Sequence, residues 1–198
     1  MNSTQVDTRR SLLQILLFVF AWVAFEYIFV RLLAFGWIAL FLGGFVLWWY
    51  TTRRSPIDPR TIIVPYLLTV ILFIAHVYDE YKSELLGLRR VMEGWPLPFP
   101  VNFELMVTFA ATLGPIAWLL GAVMMLKRWN VGYFVASTFM FGMMFIEPLH
   151  LITPFSQPGP FHYVGGLWTA PPLIAMGWYT FFAFRREIKK AKEAHGGR

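Results

Sequence analysis

Long apolar runs alternate along this chain with short polar segments that carry most of its charged side chains. Six of the runs are long enough to cross the roughly 30 Å hydrocarbon core of a bilayer as helices. They cover residues 12–29, 33–51, 61–79, 103–126, 131–152 and 165–184. The pattern predicts an all-α fold, an integral membrane bundle of about six transmembrane helices in one domain spanning residues 1–198.

The connection between the first two runs is the shortest in the chain. Only Val30, Arg31 and Leu32 separate them, and a turn that tight needs help, which we expect from Gly36. A re-entrant pair and a single bent helix are the alternatives to a full hairpin.

Composition agrees with a membrane protein. Of 198 residues, 58% are hydrophobic and only 14% are charged, which excludes an ordinary soluble domain. The net charge of +6 comes from short basic clusters at the ends of apolar runs, so we expect no nucleic-acid partner. The absence of cysteine excludes disulfides, thiolate metal sites and a cysteine nucleophile.

Basic residues also predict the orientation. With six crossings, both termini and the loops at 52–60 and 127–130 share one side, which carries thirteen of the seventeen lysines and arginines. The other side has only Arg31, Lys82, Arg89 and Arg90. The positive-inside rule therefore predicts cytoplasmic termini in a plasma or bacterial inner membrane, with the segments 81–102 and 153–164 outside.

Most of the acidic residues fall toward the predicted outer face. Seven of the eleven carboxylates and three of the four histidines lie there: Glu26, Asp79, Glu80, Glu84, Glu93, Glu104, Glu147, His76, His150 and His162. Isolated interfacial acids such as Glu84 and Glu93 usually extend to the headgroups. An ionisable group within an apolar run is instead a candidate for function.

Helical spacing predicts that several of these groups meet. His76 and Glu80 are an i,i+4 pair with Asp79 between them, and Glu147 and His150 are an i,i+3 pair on another helix. Carboxylates crowded at low dielectric cannot all stay ionised, so some must be protonated, paired with histidinium or bound to a cation. We expect this cluster, with Glu104 and Glu26 at a similar depth, to form one site.

Two stretches resemble a known family. His76-Val77-Tyr78-Asp79-Glu80 resembles the H-x-x-E-E signature of the HXXEE family of small multi-pass membrane proteins, with Asp79 in place of the usual glutamate. Tyr163-Val164-Gly165-Gly166-Leu167-Trp168-Thr169-Ala170-Pro171 resembles the later Y-x-x-G-L-x-T-A stretch of that family, and His150 precedes it as the second histidine does. Glu147 stands where asparagine is expected. The resemblance covers roughly 70–178 and implies an active-site-like cluster without a named reaction.

A weaker resemblance is to the emopamil-binding protein, a sterol isomerase of the EXPERA group. His76 and Glu80 match its H-x-x-x-E helix, and Trp168 is similar to the tryptophan on its last helix. Glu104 precedes Gly114-Pro115 as an acid precedes Gly-Pro there, although at a different spacing. The resemblance implies proton chemistry on a sterol-like substrate.

We favour an enzyme that uses these groups for acid-base chemistry on a lipid, sterol or terpenoid, by isomerisation or cyclisation. Glu80 is the expected proton donor, His76 sets its protonation, and Glu104 or Glu147 is the opposing base or cation stabiliser. The predicted catalytic residues are His76, Glu80, Glu104, Glu147 and His150. The predicted substrate-binding residues are Asp79, Trp168, Tyr163 and Thr108.

Two other functions remain open. One is a metal-dependent enzyme, because carboxylates from several helices with Glu-x-x-His resemble a di-iron pattern; iron, manganese or zinc would suit the ligands. Those ligands would be His76, Glu80, Glu104, Glu147, His150 and Glu26. The other is a lipid-binding or accessory subunit without catalysis. The oligomeric state is not predicted.

Overall fold

The computed structural model describes residues 8–53, 57–82, 102–155 and 165–196. Within these ranges every regular element is helical. The long helices are α1 (Thr8–Phe29), α2 (Arg31–Tyr50), α3 (Ile63–Lys82), α4 (Phe103–Leu126), α5 (Asn130–Phe141) and α7 (Ala170–Gly196). Helix α5 continues through a π-helical turn, Gly142–Ile146, to the short helix α6 (Leu149–Ile152). The described residues also form two 3₁₀ turns, Pro59–Thr61 before α3 and Thr153–Phe155 after α6.

Helices α1 and α2 form an antiparallel hairpin. Val30 alone separates them, in a non-helical conformation with φ −144° and ψ 78°. The rings of Trp22 and Trp37 lie 5.2 Å apart between the two helices, and Phe18 meets Phe41 one turn further on. Two separate helices therefore occupy the region of the first two predicted segments, and that both cross the membrane stays a prediction. Gly36 lies inside α2 and takes no part in the turn.

Among the described residues, four helices are long and apolar enough to cross a membrane. They are Thr8–Phe29, Ile63–Tyr81, Thr108–Leu126 and Asn130–Ile152, and Ala34–Tyr50 is a shorter apolar helix. Each of the six predicted segments contains a helix. The last one starts at Ala170 rather than 165, because residues 165–169 form turns in which Gly166 has φ +85°.

Helix α5 is the centre of the bundle. It is buried from Asn130 to Met140 and packs mainly on α2 and α4, with further contacts to α1 and α7. Helices this close need small residues between them. A Cβ atom on Gly44 of α2 would overlap Thr138 of α5, and one on Gly121 of α4 would overlap Val135.

Buried polar groups tie the helices at the end where α5 begins. The Trp48 indole donates to Asn130 at 3.0 Å, and the Asn130 amide donates to Ser11 at 3.1 Å. The Tyr133 hydroxyl donates to the carbonyl of Ile57 at 2.6 Å. These bonds join α1, α2 and α5 at this end of the bundle. The acidic residues of the candidate site lie at the opposite end.

The glycine packing predicts a stability difference between two positions on α2. Gly44→Ala should lower the free energy of unfolding by about 1–3 kcal/mol, because the added methyl enters a filled contact with Thr138. Gly36→Ala should not, since no atom lies within 4 Å of its added methyl and alanine favours the helix. Thermal unfolding of both variants in the same detergent checks this, and equal loss at both positions would contradict the packing.

Candidate functional site

Three elements bring polar side chains together inside one end of the bundle. The last turns of α3, the junction between the π-helical turn and α6, and the turns before α7 all contribute. The residues are His76, Asp79, Glu80, Glu147, His150, Gly166 and Thr169. The predicted convergence of the two histidine–carboxylate pairs is therefore present in the structure.

Two histidines and two glutamates alternate around a closed ring. His76 Nε2 lies 2.8 Å from Glu147 Oε2 and 3.7 Å from Glu80 Oε1. His150 Nε2 lies 3.1 Å from Glu80 Oε1 and 3.7 Å from Glu147 Oε2. The two imidazole rings meet edge to face, with centroids 4.9 Å apart. Each imidazole thus has two carboxylates near its Nε2 atom, an arrangement in which protons or a cation can be shared.

The ring has a buried half and an accessible half. The side chains of His76 and Glu147 are 1% and 10% exposed, whereas those of Glu80 and His150 are 18% and 25% exposed. Glu80 and His150 are therefore the members of the ring that a molecule from outside the bundle could contact, and His76 and Glu147 lie behind them.

The π-helical turn sets the direction of Glu147. The Glu147 N–H donates to the carbonyl of Gly142, five residues back, at 3.1 Å. This wider turn leaves Phe145 and Ile146 exposed, 48% and 37%, while Glu147 is buried. Single π turns inside α-helices occur often at functional sites. Here the turn brings the carboxylate to His76.

A short chain of hydrogen bonds orients His76 from behind. Its Nδ1 lies 2.9 Å from the Thr169 hydroxyl, and that hydroxyl lies 3.2 Å from Asp79 Oδ2. With the Thr169 O–H donated to Asp79 Oδ2 or to the carbonyl of Gly166, each 3.2 Å away, His76 Nδ1–H donates to Thr169. This tautomer leaves a lone pair on His76 Nε2, the atom nearest to Glu147.

Gly166 closes the site against His76. Its N–H donates to Asp79 Oδ2 at 3.1 Å, and its φ of +85° is one that residues with a side chain rarely adopt. A Cβ atom there would lie 2.5 Å from the His76 ring and 3.2 Å from Glu80. Only glycine allows the backbone to approach the cluster this closely.

Several buried atoms of the cluster have no well-aligned hydrogen bond. They include His76 Nε2 and Glu147 Oε2, even though those two atoms are 2.8 Å apart. The distance is that of a hydrogen bond, but the alignment is not. Since buried polar atoms are nearly always satisfied, two neighbouring unsatisfied atoms are a reason to look for a ligand.

Two predicted acids do not enter the ring. Glu104 is exposed at the first turn of α4, and it forms no ion pair with any residue for which the structure gives a position. Glu26 is fully buried, yet it lies beside Trp37 of α2 and not in the cluster. The expected single site of four helices is thus formed by α3, the α5–α6 junction and the start of α7.

The remaining predicted residues have different positions. Trp168 is 74% exposed, and Thr108 is exposed and donates to the backbone of Glu104. Tyr163 and His162 lie outside the described residues. Asp79 is bonded to Gly166 and Thr169, a positioning contact rather than a surface for substrate.

Thr169 and Gly166 are functional residues without a role in the sequence prediction. Both lie in the Tyr163–Pro171 stretch, and a Gly-Gly turn before a lone threonine was the signal that could have found them. Their contacts with Asp79 and His76 depend on where α7 packs, which no local pattern gives.

These features define the class: over the described ranges the protein is helical, with four helices long and apolar enough to span a membrane and a histidine–carboxylate ring at one end. Comparison with protein-family models, curated proteins and solved structures finds no match for this chain. The resemblances to the HXXEE family and to the EXPERA group therefore stay predictions, and the site must be interpreted from its own geometry.

Proposed function

We propose that this chain is an integral membrane enzyme that moves a double bond in a lipophilic substrate by proton transfer. The observation that supports this is the closed ring of His76, Glu147, His150 and Glu80, with only the last two accessible. A buried ring of four ionisable groups is too costly to be kept for packing alone.

Glu80 is the proton-transfer group in this proposal. Its carboxylic acid protonates one carbon of an alkene, which leaves a carbocation on the other carbon of the double bond. The carboxylate so formed then takes a proton from the next carbon, on the side of the cation away from the newly protonated carbon. The double bond has then shifted, and the enzyme has recovered its proton. The negative charge of Glu147 stabilises the cation, and this electrostatic attraction is strong at the low dielectric of the site.

The substrate is a lipid, sterol or terpenoid that reaches the ring within the bilayer. Exposed apolar side chains adjoin the ring residues in the sequence, among them Tyr78 on α3 and Leu149 next to His150. In the membrane, we place six crossings with both termini cytoplasmic and the ring toward the outer leaflet, because basic residues lie on the opposite side. The plasma membrane or bacterial inner membrane is the proposed location.

The direct test is a search for product. Purified chain in lipid vesicles, incubated with unsaturated sterols, terpenoids and fatty acyl lipids, should yield an isomer of unchanged mass, detected by chromatography and nuclear magnetic resonance. The His76→Leu/Glu147→Leu variant, which lacks half of the ring, should yield none. Tight binding of a lipid without conversion across this panel would contradict the enzyme and favour a binding protein.

A further inference from the structure

We propose that His76, Glu147 and His150 bind a single divalent transition-metal ion. One ligand atom from each of the three lies within 4.8 Å of the others. Atoms that share one ion through bonds of about 2.0–2.2 Å are separated by about 3 to 4 Å. The three side chains therefore need only small movements to enclose an ion.

The closest pair in the ring favours a cation between its atoms. His76 donates from Nδ1 to Thr169, which donates to Asp79, so the neutral imidazole has a lone pair on Nε2. That lone pair faces a carboxylate oxygen of Glu147 at 2.8 Å. Two acceptors at this distance repel unless a proton lies between them or they move apart to the 3 to 4 Å at which one metal ion can bind both. Both atoms are buried and without an aligned partner.

The chemistry of the ligands narrows the choice of metal. Two imidazoles and a carboxylate suit zinc, iron(II) or manganese, whereas calcium and magnesium prefer a shell of oxygens. Three protein ligands also leave a coordination position open, as in catalytic zinc sites. Glu80 Oε1 lies 3.1 Å from His150 Nε2 and 3.7 Å from His76 Nε2, so it stands beside that position.

The hydrogen bonds from His76 Nδ1 through Thr169 to Asp79 are of the kind that orients a metal-binding histidine. Metal-bound histidines usually donate their other N–H to an oxygen that is itself held in place, and loss of that partner weakens binding by about 10- to 100-fold. The pair Thr169 and Asp79 has this arrangement. The metal inference rests on the proposed function for the role of Glu80 in proton transfer, and it assigns Glu147 to the ion instead of to stabilisation of the cation.

Cobalt(II) titration of the untagged full chain in detergent tests the site. One equivalent should bind and develop the visible absorption of a low-coordinate nitrogen and oxygen site, and zinc should displace it. His76→Ala and His150→Ala should abolish this absorption, whereas Glu104→Gln, an exposed acid outside the ring, should retain it. Absorption identical to aqueous cobalt, or unchanged in His76→Ala, would overturn the inference.

Two further variants separate ligand loss from misfolding. Thr169→Val should weaken cobalt affinity by about 10- to 100-fold, and Thr169→Ser, which restores the hydroxyl, should recover it. Glu80→Gln should bind cobalt normally and lack turnover. Turnover without any metal binding would overturn this inference and leave the proposed function, and metal binding without turnover on any lipid would support the inference and contradict the proposed function.

Discussion

Replacing Glu80 with glutamine should lower turnover by about 100- to 10,000-fold, the usual contribution of a positioned acid or base. Glutamine keeps the size of the side chain and its contact with His150 but cannot release a proton. Because Glu80 is at the accessible edge of the ring, 18% exposed, the bundle should remain folded. The measurement is kcat on the substrate that the lipid panel identifies, with circular dichroism to confirm helix content.

Glu104→Gln is the matched control for this substitution. It replaces a carboxylate by an amide in the same way, at an exposed position on α4. In the described structure Glu104 forms no ion pair with the ring. Its turnover should equal that of the natural chain. Equal loss in the two variants would mean that Glu80 has no special role.

Removing only one member of the buried pair should destabilise the protein strongly. His76, whose side chain is 1% exposed, loses its 2.8 Å partner in Glu147→Leu. Breaking such a buried pair lowers the free energy of unfolding by about 3–5 kcal/mol. The double variant His76→Leu/Glu147→Leu should recover most of that loss, because two apolar side chains of similar size suit the interior. Glu80 and His150, 3.1 Å apart, stay paired in it.

Unfolding in mixed micelles of increasing denaturing detergent measures the four proteins of this cycle. A double variant at least as stable as the natural chain, but inactive, is the expected result. It would mean that the polar pair serves function rather than stability. A double variant less stable than either single one would indicate instead that the ring is a structural element.

Much of the fold could be predicted from the sequence, because a bilayer needs helices of fixed length. The run at 103–126 matches the observed helix α4, Phe103–Leu126. The meeting of His76 and Glu80 follows from their spacing on α3, and the pair Glu147 and His150 follows from theirs. These pairs are local, and their distances depend little on the rest of the bundle.

The prediction failed where helix rotation mattered. Helix α4 is apolar around most of its circumference, so its pattern could not say whether Glu104 faces the interior, and it faces outward. The π-helical turn Gly142–Ile146 has no clear sequence signal, although it rotates Glu147 inward. Thr169 reaches His76 only because α7 packs on α3. Such placements depend on packing between distant segments.

Hydrogen exchange with the solvent tests the central claim most directly. In D₂O, the natural chain should form an isomer that carries one deuterium at the protonated carbon, because the Glu80 acid must exchange its proton for a solvent deuteron before it protonates the substrate. The Glu80→Gln variant should form neither isomer nor deuterated substrate, while Glu104→Gln should match the natural chain. An isomer formed without deuterium, or deuterium incorporated by Glu80→Gln, would contradict proton transfer by this ring.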